Sequence, residues 1–267
     1  MVVFFTSCIY AQRKPKIKGN KSVVEVNETL PPFSAIQLND DLEVVLKKSN
    51  EEGYSIEADD NLIDVLKFKV EGGTLFVSSF YKITGKKKLD ITINYRELES
   101  ITMENGKIHT EDVISSDALN IALSGPSRLE LNANTTVTHL VMEEISSGDF
   151  NLASDSLRIE LRDRIDARIY VVGENTHVSM VKNATARLEG TTDLLETALY
   201  GSSNLKAERC EATHVKAFLE ESSNANIHAI THFELAAKGA ARANLYGTPK
   251  IEIVEFLGSA KLHKQSD

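Results

Sequence analysis

The stretches "LNIALSGPSRLELNA" (119–133) and "LVMEEISSGDFNLAS" (140–154) decide the fold. Each alternates apolar and polar residues, reaches a small-residue corner ("SGPS", "ISSG") and resumes the alternation. The same arrangement recurs down the chain. Strand starts set at Leu98, Leu119, Leu140, Leu157, Thr176, Leu195, Val215, Phe233 and Ile251 are spaced 21, 21, 17, 19, 19, 20, 18 and 18 residues apart. Self-similarity at this period is the mark of a solenoid.

Strand side chains alternate between faces, so positions 0, 2, 10 and 12 of each unit should share one face. Over the nine units these places hold 36 residues, of which 30 are apolar, among them Leu119, Ile121, Leu129 and Leu131. Positions 1 and 11 hold 18 residues, and only Val141 and Leu262 are apolar. The contrast assigns one row to a core and the other to solvent. One unit cannot bury its apolar row alone, so coils stack about 4.8 Å apart and share a core. Positions 6 to 8 supply turn-forming residues, as in "ENG", "GPS", "SSG", "GSS", "ESS" and "GAA". "DRI" (163–165) and "KNA" (182–184) break this pattern, and wider corners are expected there. Position 10 shrinks from Ile108, Leu129 and Phe150 to Ala167, Ala186, Ala225 and Ala243, which narrows the core unless something bulkier opposes the alanines.

The chain before residue 96 reads differently. "FSAIQLNDDLEVVLKK" alternates as two strands. A strand, a helical turn over 61–66 and a hairpin closed by Gly72 and Gly73 follow. This region is expected to be a β-rich cap (31–95) that covers the open end of the coils (96–267) in one continuous domain, because solenoid ends expose sheet edges. Residues 12–30 read as a flexible segment.

"MVVFFTSCIYAQ" is apolar, too short to span a bilayer, and ends in a small residue at Ala11 before basic chain. It has the form of a signal peptide over 1–11 without its positive n-region, which places the true start upstream and Gln12 first after cleavage. "FTSC" offers a second reading, with Cys8 as a lipidated residue. No segment has the roughly 20 apolar residues of a membrane helix.

The net charge of −9 opposes attraction to nucleic acid or anionic lipid. Aromatic content of 6% without tryptophan counts against a carbohydrate platform or a single-stranded nucleic-acid groove, both of which use stacked rings. The basic runs 13–18 and 82–88 read as solvated loops. Cys210 reads as a small filler, since no disulfide framework or catalytic partner is visible. Asp59 and Asp60, with Glu57 nearby, lack calcium-loop spacing and read as helix caps. His214 and His232 fall at one place in adjacent units, with His139 in the same column farther off, and read as a polar ladder rather than a metal site. Glu143–Glu144 and Glu220–Glu221 are neighbours on strands, so each acid pair is split between faces and cannot do the two-carboxylate chemistry of a glycosidase.

Three features resemble the family called "putative auto-transporter adhesin, head GIN domain". "FSAIQLNDDLEVVL" resembles its opening strands. "IEADDNLIDVLKFKVEGGTLFV" resembles its hairpin signature, an asparagine-leucine pair before two strands joined by a double glycine. "SGPSRLEL", "SSGDFNLA", "GSSNLKAE" and "GAARANLYGTP" resemble its serine-glycine coils. The resemblance covers about residues 31 to 264. It implies an exported β-helical protein with no established catalytic residues. The chain departs from the pattern where Glu, Asn and Ala replace coil glycines, as in "RDRIDARI".

The expected architecture is all-β, a single-stranded β-solenoid of about nine coils, right-handed by analogy. The expected function is a non-enzymatic envelope or surface protein, periplasmic or on the cell surface, that presents a rigid face to an envelope protein or a glycan. It has no catalytic residue, no metal and no cofactor. A polysaccharide-acting enzyme and an end-to-end polymerising structural protein are the alternatives.

Overall fold

A computed structural model describes residues 14–265. The signal-peptide reading, Gln12 and Cys8 lie outside the described residues. The chain is 70% strand and 2% helix, wound as a β-solenoid of about nine turns.

Strands β1 (Lys16–Ile17), β2 (Val23–Thr29), β3 (Ala35–Leu38), β4 (Glu43–Lys48) and β5 (Gly53–Asp59) come first. Helix α1 (Asp60–Ile63) leads to β6 (Leu66–Glu71), β7 (Thr74–Ser79), β8 (Lys82–Ile83) and β9 (Leu89–Tyr95). The main stack is β10 (Ser100–Met103), β11 (Lys107–Leu123), β12 (Arg128–Met142), β13 (Ser147–Arg162), β14 (Asp166–Val181), β15 (Thr185–Leu199), β16 (Asn204–Leu219) and β17 (Asn224–Ala237). It ends in β18 (Arg242–Tyr246), β19 (Lys250–Phe256) and β20 (Lys261–Lys264).

From β11 to β17 each strand lies parallel on the next. Each is one long strand rather than two short ones, and its alternation breaks once or twice along its length. In β12 the alternation breaks at Thr136 and Val137, both exposed, and that break turns on buried hydroxyls. Thr135 and Thr138 hydroxyls share a hydrogen bond of 2.6 Å, and Thr135 donates to Ser154 of the next coil at 3.0 Å. These bonds let polar side chains occupy inward places at a tolerable cost.

That explains one correction of the frame. Thr138 stacks on Leu157, and Leu140 stacks on Ile159, so the third unit starts two residues earlier than its leucine suggested. Phe150 therefore stacks on Leu131, and Gly148 takes the place beside Leu129. The Phe150 ring fills the space a Gly148 side chain would need, with ring carbons 2.4 Å from a Cβ built there.

The corners are more regular than expected. One left-handed residue recurs in each: Gly125, Glu144, Asp163, Lys182, Gly201, Glu221, Gly239 and Gly258. The corners at 163–165 and 182–184 are no wider than their neighbours, because bonds to the adjacent coil hold their length. Arg164 N–H donates to Glu144 O at 2.9 Å, and Ser202 N–H to Lys182 O at 2.7 Å.

The region before residue 96 belongs largely to the stack. β3 lies parallel between β7 and β10, and β4 parallel between β9 and β11. Among the described residues the antiparallel pairs are β5 on β9, β6 on β7 and β2 outside β5. They form the lid on this end. The segment expected to be flexible up to residue 30 is thus a paired strand over Val23–Thr29. The hairpin turns at Gly72 and Gly73, both left-handed, as its double glycine requires.

Candidate functional site

The outer face over β11 to β15 carries a groove of about 500 Å³. Two outward columns line it. His109, Glu130, Asp149, Arg168 and Arg187 stack in one. Asn132, Asn151, Tyr170 and Glu189 stack in the other, two residues along the same face. Parallel stacking sets each side chain beside its equivalent one coil away.

The first column is an ion-pair ladder. Arg128 Nε donates to Glu130 Oε1 at 2.9 Å, and its Nη2 reaches Asp149 Oδ2 at 2.5 Å. Arg168 Nε holds the other oxygen of Asp149 at 2.6 Å. Asp149 is clasped by arginines from the coils on either side. The Arg128 guanidinium holds the Glu130 carboxyl below the usual glutamate range, with His109 adding to the effect. The groove also has free valences, two in the second column and one at the end of the first. Among the described residues, the Asn151 amide, the Tyr170 hydroxyl and the Arg187 guanidinium have no side-chain partner, and Tyr170 is 49% exposed. A ring face, a free amide and a guanidinium fixed on rigid strands can hold a hydroxyl-rich ligand by contact and paired hydrogen bonds.

The other sequence candidates fall elsewhere. His214 stacks on His232 with ring centres 6.5 Å apart. His139 does not share their column; it stacks on Arg158, which stacks on His177. Among the described residues no group of three potential metal ligands comes together. Asp59 sits at the start of α1 but does not cap it. Its buried carboxylate accepts from the Lys87 and Lys88 N–H groups at 3.0 and 3.3 Å instead. The Lys87 bond is the largest cause that lowers its pKa.

The acid pairs lie in corners rather than on strands, with Glu144 and Glu221 left-handed. Glu143 bonds Arg162 at 2.7 Å, and Glu144 accepts from Gly125 N–H at 3.0 Å. Glu220 lies 3.6 Å from Lys238. Cys210 is fully buried, and burial, aided by Glu211, pushes its thiol up to about 12, as suits a filler. The two basic runs meet where Lys16 stacks on Lys82 in the β1–β8 pair. The groove itself was hidden from the sequence frame, which put Asn151 rather than Asp149 beside Glu130.

The sequence profile of the family described as "Putative auto-transporter adhesin, head GIN domain" matches residues 32–154 and again 134–249. The chain belongs to this family. The two overlapping matches suit a domain built from one repeated coil. No curated protein matches the chain. Solved structures share the fold. One titled putative adhesin from Parabacteroides distasonis ATCC 8503 has a TM-score of 0.69 at 14% identity, over 93% of this chain and 100% of that one. One titled putative adhesin from Parabacteroides merdae ATCC 43184 has 0.67 at 14%, over 93% and 98%. One titled putative lipid binding protein, also from Parabacteroides distasonis ATCC 8503, has 0.63 at 18%, over 94% and 99%. Identities this low establish the fold alone. Among the described residues no helix is long and apolar enough to cross a membrane.

Proposed function

We propose that the protein is an exported, non-enzymatic protein of the cell envelope or surface, and that it binds a glycan chain in the groove over β11 to β15. Membership of the adhesin-like family supports a binding role. The observation that carries the reading is the second groove column, where Asn151, Tyr170 and neighbouring Arg187 stand exposed and uncommitted. The first column supports them, because its ion pairs fix the groove wall. Glu130 and Asp149 in adjacent coils raise the polysaccharide-enzyme alternative. A general acid must keep its proton near neutral pH. Arg128 holds Glu130 ionised, which opposes that role.

The test is a glycan panel followed by calorimetric titration with any glycan that binds. Tyr170→Ala should weaken binding at least about tenfold, which is about 1.4 kcal/mol. Asn134→Ala, outside the groove, should leave it unchanged. If no glycan binds, and one envelope protein is captured by the wild type but not by Tyr170→Ala, the groove belongs to a protein partner. Release of reducing sugar, lost on changing Glu130, would replace the binding reading with an enzyme.

A further inference from the structure

The two ends of the solenoid differ. The first is closed by the antiparallel lid, whose outer strands carry Glu25, Glu28, Lys67 and Lys69. The last is open. Ile251, Ile253 and Phe256 stack on buried Phe233, Leu235 and Ala237, so they continue the core columns. Yet they are 41%, 45% and 44% exposed, and Val254 and Leu257 beside them are 60% and 54% exposed. Leu262, over buried Ala243, lines a cleft of about 470 Å³ with Ile253, Phe256 and Ala260. Among the described residues, β19 pairs only with β17 and β20 only with β18, so each has one edge without a described partner strand. Bare edges beside exposed apolar side chains are a template for association.

We propose that this end is the interface of a closed two-fold dimer, in which β19 of each copy pairs with β20 of the other. Charge selects both the occupant and the pairing. β19 presents Lys250, Glu252 and Glu255, whereas β20 presents Lys261, His263 and Lys264. A two-fold axis across the end can set like strands together or cross them. Like pairing brings two runs of lysine face to face, while crossing sets acid against base. Lys264 stacks on buried Leu245, at a core place. Its Nζ donates to the Gly247 and Gln265 carbonyls, no described carboxylate of its own chain pairs with it, and the crossed arrangement brings to it the second copy's Glu252 and Glu255, which in their own chain lie beside His232 and Lys238. Among the described residues the lid end exposes only Val24 and Phe80 as large apolar side chains, set among Glu25, Glu28, Lys67 and Lys69, so it offers no apolar row to match and assembly stops at two.

Light scattering after size-exclusion chromatography, over a wide range of concentration, tests this. The expected mass is twice that of the chain. Ile253→Glu with Phe256→Glu should give a monomer with an unchanged circular dichroism spectrum. Lys261→Glu with Lys264→Glu should weaken the dimer at least tenfold, as should Glu252→Lys with Glu255→Lys, and all four changes together should restore it. In the wild type, amides of β19 and β20 should exchange slowly and lose protection on dilution, a readout that no misfolded variant can confuse. A monomeric wild type, a mass that grows with concentration, protection independent of dilution, or four combined reversals that fail to restore the dimer would each overturn the proposal.

Discussion

Glu160 accepts from Arg158 at 2.9 Å and from Arg162 at 3.0 Å, and its side chain is 19% exposed. The Arg158 bond, more than any other cause, lowers its pKa from 4.5. A carboxyl with a folded pKa below its unfolded value stabilises the fold above the unfolded value. That contribution is lost as pH falls through the folded value. The melting temperature should therefore hold at neutral pH and fall once the pH drops below about 4.5. Glu160→Gln should melt lower at neutral pH and show a shallower acid decline. Thermal melts of both proteins from neutral to acid pH decide it, and parallel curves would assign the acid loss to other groups. The same scale explains a misreading. Thr138 takes a core place because Thr135 satisfies its hydroxyl, so a search for apolar residues steps past it to Leu140.

At the scale of the element, strand alternation was legible because a period of two survives any local error in frame. Leu119, Ile121, Leu129 and Leu131 are all buried as read. The neighbour across the coil was less legible, since it depends on absolute register, and a two-residue slip swaps Asp149 for Asn151 beside Glu130. That slip concealed the groove. Corner geometry was hidden for another reason: backbone bonds between coils impose the left-handed turn on whatever residue arrives there. Glu221 adopts φ of 60°, in line with Gly201 and Gly239 in the flanking coils at 72° and 73°. A side chain there costs about 1–2 kcal/mol, while glycine loses about 0.5–1 kcal/mol of backbone freedom. Glu221→Gly should therefore stabilise by about 0.5 kcal/mol, a rise of about 1–2 °C. Gly239→Val should destabilise, since its Cβ would also sit 2.9 Å from Glu221 O. Chemical denaturation of the two variants measures both signs.

At the scale of the molecule, each coil between β11 and β17 rests only on its two neighbours, so a whole coil should be removable. Ser156 stacks on Asn175, so deleting residues 157–175 joins Ser156 to Thr176 in register. The shortened protein should keep its β spectrum and a cooperative melt. It should also lose glycan binding, because Arg168 and Tyr170 go with the deleted coil. Loss of folding would mean that the coils are not interchangeable. The lid end obeys a different rule, because the chain there visits the stack out of order, and β3 lies between β7 and β10 with a ladder on each side. Under mechanical load that order becomes an asymmetry. Tension on the last strands unzips them one ladder at a time, each row yielding before the next bears force. Tension on the first strands frees β2 and then meets β3, which has to shear two ladders at once. A molecule held by its N-terminal side and pulled through the proposed groove would place that two-ladder strand in the path of the load.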